Sequence, residues 1–165
     1  GEVIIITAGA ADMACGLETL GATRFFGLKA GLVPDVGVAG LHRLTPHLDN
    51  LFAARLHIVI AGMEGALPGV IAANTTLPVI GVPVKGSALD GVDALYSIIQ
   101  MPPGIPVATV AINGAMNAAI LAVQMLALSD SSLAETFATY KEGLKKKIVK
   151  ANEDLKDVKY EYKTN

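Results

Sequence analysis

The sequence predicts an α/β fold: a three-layer, doubly wound parallel sheet of flavodoxin or Rossmann-like type, with an extra helix at the carboxyl end. Three observations predict it. Short Val- and Ile-rich runs recur along the chain and stay apolar throughout, as parallel strands covered on both faces do. Segments of helical length separate them, so β and α alternate. The turns between them are built mostly from Gly, Ala, Pro and Asn, which let the backbone reverse sharply.

Each element has its own warrant. Glu2–Ala8 (EVIIITA) reads as a central strand, and Asp12 as the N-cap of a helix running to about Leu20. Residues 21–31, rich in glycine, stay ambiguous. Leu32–Val38 is read as a second strand. Thr45 and Pro46 open a helix toward Arg55, with Thr45 as cap and Pro46 at the first helical position. Leu56–Ala61 (LHIVIA) is the third strand, followed by a short helix ending near Asn74. Pro78–Val82 and Pro106–Ile112 are strands four and five, with helices expected at Asp90–Met101 and Ala115–Leu128. Ser131 or Ser132 caps a last, polar helix that ends near Lys156, and the tail VKYEYKTN follows.

Composition narrows the function. A chain of 165 residues suffices for one domain with a full core. Its net charge of −2 gives no ground for nucleic-acid binding. Lys145, Lys146, Lys147 and Lys150 are flanked by Glu142, Glu153, Asp154 and Asp157, the pattern of a solvated helix face. The single cysteine, Cys15, rules out a disulfide or a cysteine zinc cluster within these residues. No run reaches the roughly 18 apolar residues of a membrane span, and no signal peptide is evident, so no membrane role and a cytoplasmic location are expected. The 115–128 helix carries only Asn117 and Gln124 as strongly polar side chains, so both of its faces are expected to be covered, one by the sheet and one by another subunit.

In doubly wound folds ligands sit beyond the carboxyl ends of the strands. Here those ends are TAGAAD, VAGLHR, AGMEGALPG, VPVKGSA and INGAMNA, small-residue loops that admit close backbone approach. In the first, Gly9, Ala10, Ala11 and Asp12 open a helix whose free N–H groups could seat a phosphate; a plain tight turn reads the same way. In the second, His42 supplies an imidazole, a side chain suited to moving protons near neutral pH, and Arg43 can fork onto phosphate or carboxylate. An ordinary surface turn also carries such pairs. Glu64, among Gly, Ala and Met, is either an exposed loop acid or a functional carboxylate. His47 and His57, on a helix and at a strand start, are read as structural.

The wording of residues 75–128, in particular PVIGVPV, SIIQMPPGIPVATVAI and NAAILAVQMLAL, resembles the PurE family, the N5-carboxyaminoimidazole ribonucleotide mutases and carboxylases of purine biosynthesis. The resemblance implies carboxyl transfer on an aminoimidazole ribonucleotide, with no metal and no other cofactor. The family's first turn reads G-S-x-S-D and binds ribonucleotide phosphate and ribose; Asp12 keeps the acid, while Ala8, Gly9 and Ala11 supply no hydroxyl. Its S-A-H-R-T-P motif carries the catalytic histidine, which matches His42, with Gly40 and Leu41 in place of Ser and Ala and Leu44 inserted before Thr45. The third loop, A-G-A-G-G-A-A-H-L-P-G in the family, is shorter here and lacks its histidine. Gly62, Gly65, Ala66 and Leu67 are the expected walls of an apolar cage for CO2.

Two stretches, DVGVAGLHRL and IAGMEGAL, are similar to LarB, a carboxylase with a PurE-like domain that acts on a nicotinic acid dinucleotide. That similarity implies a second possible substrate. LarB's essential cysteine would fall near Met101-Pro102, where this chain has none. A non-catalytic nucleotide-binding paralogue is a third reading. PurE proteins form octamers, so a homo-octamer is expected, with residues 131–165 reaching onto neighbouring subunits.

Overall fold

The structure, a computed structural model, describes residues 2–156 and 158; Tyr160 and Tyr162 of the tail lie outside the described residues. It is a five-stranded, all-parallel sheet in the order β2-β1-β3-β4-β5, formed by β1 (Val3–Thr7), β2 (Ala30–Val33), β3 (Leu56–Ala61), β4 (Val79–Pro83) and β5 (Ala108–Thr109). Helices α1 (Met13–Phe25), α2 (Leu48–Phe52), α3 (Leu67–Ala73), α4 (Val92–Ile99), α5 (Ala115–Ala127) and α6 (Ser131–Lys156) complete it.

Alternation along the central strands sorts the core into two layers. Val3 and Ile5 of β1, with Leu56, Ile58 and Ile60 of β3, pack against Ala118, Ala122 and Val123 of α5. Ile4, Ile6, Val59 and Ala61 face the other way, onto Leu51 of α2 and Leu67 and Ile71 of α3. Every residue of β1 and of β3 is buried, which is why both runs are apolar except at Thr7 and His57. Gly81 of β4 permits close packing of α4: a Cβ there would stand 2.5 Å from Ile98 Cγ2 and 2.8 Å from Val107 Cγ1. Away from the sheet, α5 is packed by α1 and α6 of its own chain, where the sequence reading expects another subunit.

Several boundaries differ from the sequence reading, each for a local reason. The first helix runs on to Phe25, and β2 begins at Ala30 and stops at Val33, because Pro34 and the left-handed Asp35 (φ 54°) turn the chain. Asp12 does not cap the helix that follows it; its carboxylate accepts instead from the N–H of Gly9, 2.8 Å away. Thr45 makes no side-chain cap, although Pro46 does sit in the first turn. At α6 the cap is Asp130, whose Oδ1 accepts from the N–H of Leu133 at 3.0 Å. The first turns of α6 pack Leu133, Phe137 and Tyr140 onto the core around Phe26. Beyond Lys141 every residue of the helix is exposed, Leu144, Ile148 and Leu155 included.

Candidate functional site

The strand order reverses at β1, so the β1 and β3 chains leave the sheet toward opposite neighbours and open a crevice at their carboxyl ends. A pocket of about 300 Å³ occupies it, walled by the turns after β1, β2 and β3. Gly9, Ala11 and Asp12 come from the first turn, Asp35, Gly37 and Arg43 from the second, and Gly62, Met63 and Glu64 from the third.

Backbone contacts hold the first two turns together. Thr7 is fully buried, and its Oγ1 accepts from the N–H of Asp35 at 3.0 Å. The N–H groups of Val36 and Gly37 donate to the carbonyls of Thr7 and Ala8, at 3.0 and 2.8 Å. At Gly37 a side chain has no room: a Cβ would stand 2.5 Å from the Ala8 carbonyl oxygen. Gly40 does the same for Arg43, whose Nε would lie 2.7 Å from a Cβ at that position. The guanidinium is tethered in turn, with Arg43 Nη1 donating to Asp35 Oδ2 at 2.6 Å.

Asp12 is the buried acid of the site, 6% exposed. Its carboxylate fills the space between the Gly9 turn and Gly62, whose Cβ would lie 3.7 Å from Asp12 Oδ1. Burial raises its pKa above the ordinary carboxylate value, the Gly9 N–H acts in the opposite sense, and the negative charge of Glu64 adds to the rise. Asp12 therefore holds its proton to higher pH than a free aspartate. Among residues 9–12 the N–H groups of Gly9 and Asp12 are engaged, with Asp12 Oδ2 and the Gly9 carbonyl, which narrows a backbone phosphate seat to Ala10 and Ala11.

Of the residues expected at the site, the pocket brings together Gly9, Ala11, Asp12, Arg43, Gly62 and Glu64. His42 is exposed on the 3₁₀ segment Val38–Arg43, next to Gly40 and Arg43 but outside the pocket wall. Ala10 is exposed and Gly40 is buried, and neither borders the pocket. Gly65 turns with a left-handed φ of 55° and packs on α4, where its Cβ would meet the Ala94 carbonyl at 2.9 Å. Ala66 caps α3, and Leu67 is fully buried in the core rather than facing the pocket. Asp35, Gly37 and Met63 line the pocket without having been read from sequence. The signal for the first two was present in Pro34-Asp35-Val36-Gly37, a turn-forming run that the reading carried through as strand.

The AIR carboxylase family profile matches residues 2–147. The N5-carboxyaminoimidazole ribonucleotide mutase of Methanocaldococcus jannaschii is 41% identical over 94% of this chain and 98% of its own length. The phosphoribosylaminoimidazole carboxylase of Saccharomyces cerevisiae is 46% identical over 79% of this chain, which spans only 24% of that longer protein. Among solved structures, Treponema denticola PurE superposes with a TM-score of 0.83 at 28% identity, covering 93% of this chain and 98% of the other. With the whole described sheet inside the matched span, this chain belongs to the AIR carboxylase family.

Proposed function

We propose that this chain moves a carboxyl group on an aminoimidazole ribonucleotide in purine biosynthesis, as a PurE-type mutase or carboxylase. The observation that carries this reading is the match to a named mutase over 98% of that protein's length, with a strand-end pocket in the place the fold reserves for ligands.

In the mutase direction the C–N bond of the carbamate breaks, CO2 departs, and the exocyclic nitrogen takes up one proton. The electron-rich ring carbon then attacks the CO2, forming the C–C bond, and loses one proton to restore aromaticity. One group that gives the first proton and accepts the second ends unchanged. His42 is assigned that role, its imidazole being suited to both transfers near neutral pH. Arg43, aimed by Asp35, holds an anionic group of the substrate. Asp12 stands by the ribose, and the N–H groups of Ala10 and Ala11 meet the phosphate. Holding CO2 beside the ring keeps its effective concentration high between the two half-reactions. Gly62 is the member of the expected cage that borders the pocket.

A closed homo-oligomer, with an octamer as its size, belongs to the same proposal. It is supported by the exposed apolar side chains of α6 beyond the core (Leu144, Ile148, Leu155) and of α4 (Val92, Tyr96, Ile99). Light scattering that shows a stable monomer at micromolar concentration would remove it.

The assay offers the purified protein three substrates separately: the N5-carboxy ribonucleotide, aminoimidazole ribonucleotide with bicarbonate, and nicotinic acid adenine dinucleotide with bicarbonate. Conversion of the first identifies a mutase and of the second a carboxylase. Carboxylation of the dinucleotide, or ribonucleotide binding without turnover, would overturn the reading.

A further inference from the structure

The segment that carries His42 and Arg43 has a second cavity behind it. Between α2 and α3 lies a space of about 190 Å³, bordered by Leu41 and Leu44 of that segment, Phe52 of α2, Val70 and Ile71 of α3, and His57 of β3. Polar groups at its border come from Thr45, Asn74 and Thr75, and no Asp, Glu, Lys or Arg borders it. His57 is the anomaly. It is 1% exposed, faces this layer while its chain neighbours Leu56 and Ile58 face the other, and neither ring nitrogen has a hydrogen-bond partner. A buried polar group in that condition loses its hydration with nothing in return, so buried polar side chains are ordinarily paired. Burial also lowers its pKa to about 4, which leaves the ring neutral at pH 7 with one N–H donor and one bare nitrogen acceptor.

These features define an occupant. The absence of bordering charge disfavours an ionised ligand, which would enter without a counter-charge. The volume is close to the ~150 Å³ apolar cavity known to take up benzene and falls below the range of about 300–1,000 Å³ usual for drug-sized ligands. A single ring fits that scale. The unsatisfied imidazole asks for one hydroxyl. We propose that the α2–α3 cavity is a binding site for an uncharged, hydroxylated single-ring aromatic, a phenol, with His57 as its hydrogen-bond partner. The ring would rest on Leu41, Phe52 and Val70. The same chemistry has two sources: a free small molecule, or a tyrosine such as Tyr160 or Tyr162 of the chain's own tail.

The test uses the full-length protein, p-cresol and toluene, followed by ¹H–¹⁵N spectra in titration at pH 7. Saturable shifts at Leu41, Phe52, Val70 and Asn74 are expected, with p-cresol bound roughly 2- to 12-fold more tightly than toluene, the worth of one ordinary hydrogen bond. His57→Leu should abolish that preference while toluene still binds, and Val70→Trp should block both ligands by filling the space. If p-cresol saturates only after Tyr160→Ala/Tyr162→Ala, the tail is the natural source of the phenol. Equal affinity for the two ligands in the wild type, or no saturable shift in either wild type or tail variant, overturns the proposal. The readout is binding without turnover, so it stands apart from the assignment of catalytic function.

Discussion

The segment from Val38 to Thr45 separates two cavities built on opposite terms. On one side lies the strand-end pocket, where Asp12, Asp35, Glu64 and Arg43 converge from three loops. On the other lies the α2–α3 cavity, walled mostly by apolar side chains, with three uncharged polar ones and a single neutral histidine. The first can hold charge because strand ends leave N–H groups, counter-charges and water within reach: Asp12 has the Gly9 N–H, and Arg43 has Asp35. The second, one layer of side chains away, offers His57 no such partner, and the ring stays neutral. An ionisable group in the loops beyond the carboxyl ends of the strands thus has partners for its charge, whereas His57, near the amino end of β3, is a polar group within the core.

The largest effect expected from this contrast is on turnover. His42→Asn should leave folding and ribonucleotide binding intact and lower kcat by 100-fold or more, as loss of a positioned acid–base group does. Steady-state kinetics with separate binding measurements check it. Turnover near the wild-type rate would place the proton transfer elsewhere, with Asp12 as the next group to examine.

The second effect belongs to the other cavity and concerns stability. The folded state depresses the pKa of His57 from 6.5 to about 4, so the unfolded chain binds the proton more readily. The stability tied to its neutral form is complete above pH 6.5 and is lost as pH falls toward 4. The loss amounts to about 3 kcal/mol for a shift of that size. Urea midpoints for the wild type and His57→Leu at pH 7 and pH 4.5 should show a smaller acid loss in the variant. Parallel acid limbs in the two proteins would mean that His57 does not titrate on unfolding.

The strand-end pocket also depends on backbone proximity, which a methyl group tests. Gly37→Ala sets a Cβ against the Ala8 carbonyl, backbone that cannot rotate aside, and overpacking of this kind costs about 1–3 kcal/mol. Gly21→Ala is the control, since nothing lies within 4 Å of a Cβ there. Denaturant unfolding should separate the two. Equal stabilities would show that the β1 and β2 turns are less tightly joined than Gly37 implies.

These features differ in how far the sequence reveals them. β3 is legible to the residue, Leu56–Ala61, because a run that is apolar apart from His57 lies between Arg55 and Gly62. β2 is displaced, since the apolar content of Leu32–Val38 masks a turn at Pro34 and Asp35. β5 shrinks from Pro106–Ile112 to Ala108–Thr109 at the sheet edge, where one flank of the strand has no partner. Asp12, Arg43 and Glu64 could be named from the rule that ligands sit at strand ends. The turn at Asp35 had a signal in Pro34-Asp35-Val36-Gly37, but its pairing with Arg43 across eight residues of turning chain had none. His57 could be placed on a strand, but neither its orphaned nitrogens nor the cavity beside it has a signature in periodicity. Residues 75–128, which carry the clearest family resemblance, supply none of the pocket wall within this chain. Recognition came from the scaffold, while the chemistry lies in the loops of the first half.

The smallest effect expected is at the Asp35–Arg43 pair, and it measures how far a strand-end charge is softened by solvent. The two side chains are 49% and 37% exposed, so despite the short contact the pair contributes no more than about 1 kcal/mol to stability. Asp35→Asn suits the test because asparagine tolerates the left-handed backbone and keeps an oxygen that can accept from Arg43. Only the charge is removed. The melting temperature should therefore barely move, while the less firmly held guanidinium raises KM about 2- to 5-fold with kcat nearly unchanged. The difference should shrink at high salt, where the wild-type pair is itself screened. A fall in kcat at constant KM would make Asp35 a participant in the reaction rather than the residue that aims Arg43. A stability loss well above 1 kcal/mol would mean that the strand-end pocket shelters its charges as closely as the core surrounds His57.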